Sequence, residues 1–295
     1  MNDPLRYPNF FLELRYPILL SPKHDGIRSI IKNKQCMSRT FKPLPSYQAQ
    51  DEFRMYEHMD GELIEGNHLD PDVYNRTQSY IMSGDKFGEL TFNVFDYTHP
   101  DWLRKPFYQR LERLEELVRF HDDEKLIFVE HELVENEDEL LAYEERILDL
   151  GWEGVMGADP MGYYKQGRAT WKEQLRIKLK RFTDSEGQVV GIVEATKNEN
   201  IQVYNELGYA KRSKKRDALE PNGMLGRFIV LFEGQEINVA PGVYKHEQRR
   251  AIFENPDCNP YINLGDTLKF RHFAHGQKDA PRHARALGRR DPMDM

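Results

Sequence analysis

The stretch Ser21-Pro22-Lys23-His24-Asp25-Gly26-Ile27-Arg28 constrains this chain more than any other. Its Asp-Gly pair sits between two apolar, β-prone runs, residues 17–20 and 27–31. Asp-Gly between such runs is a strong short-range turn signal, so a β-hairpin is the plain expectation. A hairpin leaves Lys23 and Arg28 as ordinary surface charges. A second reading makes Lys23 a nucleophile. A lysine amine attacks only when unprotonated, so its pKa must fall through desolvation or nearby cations. Arg28 would be one such cation and a planar fork for phosphate oxygens.

At 295 residues the chain exceeds a typical single domain, and two domains are the expectation. No apolar run approaches the roughly 18–20 residues that span a bilayer. The first residues, Met1-Asn2-Asp3-Pro4-Leu5-Arg6-Tyr7, lack the apolar core of a secretory signal. Cys36 and Cys258 are the only cysteines, too few for a disulfide framework or a cysteine zinc site. No membrane association and a reducing cytoplasm, prokaryotic or in a virus-infected cell, are therefore expected. The net charge of −7 argues mildly against a nucleic-acid binder, but its distribution matters more than its sum. Acid gathers at residues 112–124 and 130–145, whereas basic clusters lie at 172–181, 211–216 and 282–290. A cationic face separate from an acidic flank is the expected result.

The first part of the chain alternates strand-like and helical stretches. Residues 60–64, 90–95 and 126–130 are β-branched and aromatic and read as strands. Residues 107–120 carry Leu111, Leu114, Leu117 and Val118 at helical spacing after Pro106, which suits a helix start. A second helix is predicted over 137–150, with Gly151 as its stop. The polar cluster 183–187 reads as a turn and domain border. Beyond it, short strands at 188–193, 226–232, 236–239 and 267–271 suggest a small barrel. Residues 197–226 are polar, with little apolar periodicity, and read as a long functional loop.

Phosphate-binding loops of the G-x-x-x-x-G-K-[ST] and G-x-G-x-x-G kinds are missing, as is H-E-x-x-H. Other short segments carry chemistry. Asp60-Gly61-Glu62-Leu63 reads as a second turn followed by a carboxylate on a strand. Phe95 ends a strand, either as core or as a platform for a base. Glu153 opens an apolar strand, where a metal ion or a lysine must compensate it. Lys178 and Lys180 alternate, so both face one side of a strand. Two parallel ammonium groups repel unless an anion such as a phosphate lies between them; a solvated edge strand is the alternative. The histidines show no metal-ligand spacing and read as surface or structural residues.

These segments resemble, in order, the motifs of the covalent nucleotidyltransferases: Lys23-x-Asp25-Gly26-x-Arg28, Ser38-Arg39-Thr40, Asp60-Gly61-Glu62-Leu63, Val94-Phe95-Asp96, Glu153-Gly154-Val155-Met156 and Lys178-Leu179-Lys180. The look is closest to the minimal ATP-dependent DNA ligases of Chlorella virus and phage type. Arg39-Thr40-Phe41-Lys42-Pro43 resembles their segment after the nucleophile, and Pro281-Arg282 through Asp294 their last motif. The resemblance implies an α+β nucleotidyltransferase (ATP-grasp-like adenylation) domain over 1–182 and a small all-β OB-fold domain over 183–295. Within the latter, residues from about 198 to 224 resemble a latch that closes around duplex DNA.

The resemblance also implies the chemistry. Lys23 would attack the α-phosphate of ATP and form lysyl-AMP. Glu62 would hold the ribose, and Phe95 would stack on adenine. Glu153, with Asp25, would support Mg²⁺ or Mn²⁺, and Lys178 and Lys180 would grip the α-phosphate. Arg28 would touch AMP, and Arg28 with Arg39 would receive the 5′-phosphate of a nick, with Lys42 also on DNA. Asp25 would act in the later steps. Lys211, Arg212, Lys214, Lys215 and Arg216 would hold duplex phosphates. Arg282 and Asp294 would close over ATP, with Arg289 or Arg290 as a second arginine and Asp291 competing with Asp294. The implied partners are ATP and nicked duplex DNA, bound by a monomer. An RNA-end ligase or capping guanylyltransferase shares the lysine chemistry, and a non-catalytic DNA-binding module is the reading from another class.

Overall fold

A computed structural model describes residues 10–204, 206–273 and 281–290 of the chain. It divides into two compact units, Met1–Lys180 and Arg181–Met295.

Two sheets form the first unit. One runs β7 (Glu132–Val134), β1 (Ile18–Pro22), β8 (Val155–Ala158), β9 (Arg176–Leu179), antiparallel throughout. The other runs β3 (Gln35–Met37), β2 (Ile27–Lys32), β4 (Met59–Glu65), β5 (Leu90–Tyr97), β6 (Leu126–Phe128), with only the last pair parallel. The predicted hairpin at Asp25-Gly26 does not form. The flanking runs are β1 and β2, which belong to different sheets, so this segment is a crossing between them. Gly26 is needed there for close approach: a Cβ would lie 2.3 Å from the carbonyl oxygen of Leu63 on β4. The second Asp-Gly pair is not a turn either. Asp60 and Gly61 lie within β4, at a register shift against β5.

Helices cover these sheets. α4 (Phe107–His121) starts after Pro106, buries Phe107, Leu111 and Leu114, and ends at Asp122 in the left-handed region. α5 (Glu137–Asp149) is capped by Asn136, whose side chain accepts from the Glu139 N–H, and three acidic residues occupy its first turn. Three helices had escaped the reading of this unit's sequence. α1 (Phe10–Glu13) and α2 (Tyr47–Phe53) are short, and α3 (Val73–Ser83) buries only Val73, Thr77 and Ile81. The second sheet's core joins Phe53, Met59, Leu63, Phe92, Val94 and Leu114; the first sheet's joins Leu20, Leu140, Ile147, Val155 and Ile177.

The second unit is a five-stranded sheet, β14 (Gln235–Val239), β13 (Leu219–Phe232), β10 (Thr183–Asn198), β15 (Thr267–Phe273), β16 (Arg282–Arg289). A bridge between Ala240 and Arg285 joins its edges. Gly242 lets this closure happen: its φ is +60°, and a Cβ would stand 1.9 Å from the Ala286 oxygen. α6 (His246–Glu254) packs on β13, and Phe228, Val230, Leu268 and Phe270 fill the core. The turn predicted at 183–187 is instead the start of β10, paired residue by residue with β15 from Thr183↔His272 onward. Ladder pairing satisfies that polar backbone, and the side chains stay half-exposed. The long segment is also more ordered than a loop. β10 and β13 stay paired out to Asn198↔Leu219, and the chain between them forms a small hairpin, β11 (Gln202–Tyr204) with β12 (Ala210–Arg212).

Candidate active site

Lys23 leaves the end of β1 with its backbone N–H donating to the Gly154 carbonyl at 2.8 Å, which ties the crossing segment to β8's approach. Its ammonium donates to Glu153 Oε2, and the ammonium of Lys180 donates to Glu153 Oε1. Glu153 and Lys180 are each only 7% exposed. A buried carboxylate must be compensated, and here two lysines do it. The Asp25 carboxylate stands 3.8 Å from the Lys23 nitrogen. β9 places Lys178 half-exposed between buried Ile177 and Leu179, and Lys180 follows just past the strand end. The anion between ammonium groups is thus the protein's own Glu153, held by Lys23 and Lys180.

Across the crossing, Arg28 on β2 pairs in register with Glu62 on β4. Burial pushes the Glu62 carboxyl up to about 7 against the pull of Lys23 and Arg28. Arg28 forms a fork on Asp60, at 2.8 Å from Nε and 2.5 Å from Nη2. The Tyr164 hydroxyl donates to the same carboxylate at 2.8 Å. The Arg28 guanidinium lies 5.8 Å from the ring centre of half-buried Phe95. Arg28 therefore meets Asp60 before any phosphate, and its fork is engaged.

A second buried ion group ties the sheets together. Asp96 on β5 accepts from Arg110 of α4 at 2.7 and 3.1 Å and from Arg176 of β9 at 2.6 Å. Burial alone would raise the Asp96 pKa; Arg176 and Arg110 hold it below the usual carboxylate range instead. Arg176 lies on the face shared by Lys178 and Lys180.

The remaining candidates lie elsewhere. Arg39 and Lys42 stand exposed on a turn after β3, closed by Ser38 N–H to Lys42 O at 2.7 Å. Lys211 and Arg212 lie on β12, and Lys214, Lys215 and Arg216 follow, all exposed. Arg282 opens β16. Arg289 pairs with Asp266 at 3.2 Å and Arg290 with Glu186, so both arginines serve contacts inside the second unit. Asp291 and Asp294 lie outside the described residues. Arg110, Tyr164 and Arg176 were missed, and Asp60 and Asp96 stood in motifs without a role. Asp60 and Asp96 had a signal, being charges inside apolar strands, which require partners. Tyr164 and Arg110 had none, because their partners come from distant segments. Among the described residues no cluster of three or more His, Cys, Asp or Glu side chains could hold a metal ion. None of their helices is long and apolar enough to cross a membrane.

A lysine beside a buried glutamate at the crossing of two sheets, followed by a five-stranded barrel, defines the class: a nucleotidyltransferase adenylation domain with an OB-fold domain. Residues 10–180, more than half of the chain, match the family model for the ATP dependent DNA ligase domain, and the chain belongs to that family. The fold is similar to that of the Chlorella virus DNA ligase-adenylate, 27% identical over 95% of both chains with a TM-score of 0.52. A second crystal structure of that adenylate is 29% identical, covering 95% of this chain and 94% of that one, with a TM-score of 0.52. A Lig E DNA ligase, 21% identical over 92% of both chains, shares the fold at a TM-score of 0.69. No curated protein matches the chain. The protein is an ATP-dependent DNA ligase by family.

Proposed function

We propose that Lys23 is the nucleophile of this ligase and that its substrate is a nick, 3′-hydroxyl beside 5′-phosphate, in duplex DNA. The observation that carries the proposal is the Lys23–Glu153–Lys180 cluster, a carboxylate bracketed by two ammonium groups. When the lysine nitrogen attacks the α-phosphorus of ATP, an N–P bond forms, the α–β bridge breaks, and pyrophosphate leaves with the electron pair. Glu153 orients the Lys23 amine. Lys180 and Lys178 oppose the charge growing on the α-phosphate, in a buried setting where such charges count for more than in water. Glu62 accepts from the ribose hydroxyls, and Phe95 offers its ring to the base. In the second step a 5′-phosphate oxygen takes the AMP from Lys23. In the third the 3′-hydroxyl displaces AMP, with Asp25 beside the reacting end. Arg28 reaches the 5′-phosphate by loosening its fork on Asp60, whereas Arg39, Lys42 and the hairpin cations meet the flanking duplex.

The oxygen donors of Glu153 and Asp25 beside Lys23 fit Mg²⁺, and Mn²⁺ equally, because such ions take one or two carboxylates and leave other positions to phosphates and water. The metal would neutralise phosphate charge. The enzyme works as a monomer in this reading.

The test is incubation with radiolabelled ATP and Mg²⁺, followed by denaturing electrophoresis, for the wild type and Lys23→Ala. Acid-labile label on the wild type and none on the variant is the expected outcome, with the label chased by nicked duplex. Label retained by Lys23→Ala, or a chase by RNA ends alone, would overturn the proposal.

A further inference from the structure

A stack of rings joins three segments that carry site residues. His24, beside Lys23, meets the Trp152 indole edge-on, with centroids 4.8 Å apart at 72°. Trp152, beside Glu153, is covered by the His68 imidazole, 4.3 Å away and nearly parallel at 17°. His68 belongs to the segment that follows β4, the strand of Glu62. That segment is tied down by Arg76 of α3, which donates to the carbonyls of Glu65 at 3.1 Å and Asn67 at 3.5 Å and to the Asp70 carboxylate at 2.5 Å.

The backbone around Glu153 explains why such a stack matters. Gly151 and Gly154, on either side of Trp152 and Glu153, adopt φ of +90° and +153°, a region that glycine enters at little cost. Trp152 lies between them and packs on the core under α5. Its indole lies against both His68 and His24, one residue before Glu153. His24 suits this place. Its Nδ1 is buried and, among the described residues, has no hydrogen-bond partner, so packing accounts for its position.

We infer that the His24–Trp152–His68 stack positions Glu153 against Lys23 for lysine adenylation. The inference rests on the role proposed for Lys23. His68 is exposed, and exposed side chains contribute little to stability. Its effect should therefore show in the geometry of the first step.

The experiment compares wild type, His68→Ala, His68→Phe and Lys23→Ala as full chains stripped of AMP with pyrophosphate. Lysyl-AMP formation from labelled ATP is followed in a single turnover, and sealing of a pre-adenylated nick is followed separately. His68→Ala should form lysyl-AMP about tenfold more slowly, inside the hundredfold that an ångström of misplacement can cost. Its KM for ATP should stay within about twofold, since ground-state binding is untouched. Its sealing of the pre-adenylated nick should be unchanged, and His68→Phe, which restores a flat ring, should recover most of the rate. Wild-type rates in His68→Ala, equal losses in both steps, or a Phe variant no better than Ala would overturn the inference. If instead Lys23→Ala takes label as the wild type does, the nucleophile assignment itself has failed. The two failures are distinct.

Discussion

The charges of the sheet crossing and those of the β11–β12 hairpin obey opposite rules. At the crossing three buried carboxylates meet counter-charges. Glu153 lies between Lys23 and Lys180, Asp60 in the Arg28 fork, and Asp96 between Arg110 and Arg176. On the hairpin, Lys211, Lys214, Lys215 and Arg216 are exposed, and solvent screens them. The first arrangement costs desolvation and returns fixed geometry. The second leaves its cations for an outside polyanion, with salt dependence as its mark. Removing a charge should therefore damage folding and geometry in one region and only long-range attraction in the other.

The largest break is expected at Asp96. Asp96→Asn strands two guanidinium groups around a site only 1% exposed. Loss of one partner from such a buried group typically costs about 3–5 kcal/mol, read as a lower urea midpoint with an unchanged slope. The Asp96 pKa is depressed in the folded chain, so this stabilisation is full above the unfolded carboxylate pKa and fades as pH falls through the folded one. The variant should lose that acid sensitivity. A cost below about 1 kcal/mol, as for exposed pairs, would erase the distinction drawn here.

The hairpin should behave the other way. Arg212 is left in place because its guanidinium donates to the Asn200 carbonyl at 2.5 Å. Replacing Lys211, Lys214, Lys215 and Arg216 with Ala should shift stability by no more than about 0.5 kcal/mol per site. Binding to a nicked duplex should weaken, and the slope of log K against log salt should shrink by about 3–4. An unchanged slope would remove these four residues from the DNA interface.

How much of this was legible in the sequence follows the same division. Lys23, Glu62, Phe95, Glu153, Lys178 and Lys180 stood out because their motifs are local and ordered along the chain. The hairpin stood out as a run of charge. What stayed hidden depended on contacts between distant segments. Asp25-Gly26 carries the signal of a hairpin turn, and only the pairing of β1 with β7 and β8 turns it into a crossing. Residues 183–187 look like a turn by composition, but β15 supplies a partner for their backbone. Tyr164 reaches Asp60 from 104 positions away, a contact no periodicity encodes. β16, written Arg-His-Ala-Arg-Ala-Leu-Gly-Arg, has weak strand character of its own; pairing with β15 makes it a strand.

Glu62 offers a further check on the crossing, because burial holds its pKa above the ordinary carboxylate range. Burial raises it from 4.5 to about 7, with Lys23 and Arg28 pulling the other way. Between those two values the folded chain keeps a proton that the unfolded chain has lost. Stability must then fall as pH rises through that window, by about 3 kcal/mol in all. Glu62→Gln is neutral throughout, so its unfolding free energy should lack this decline, which urea titrations at pH 5 and pH 8 would show. Lys23→Ala removes one pull on the carboxyl and should extend the decline to higher pH. If the wild type showed no more decline over the window than Glu62→Gln, Glu62 would be an ionised, well-paired carboxylate like Asp96.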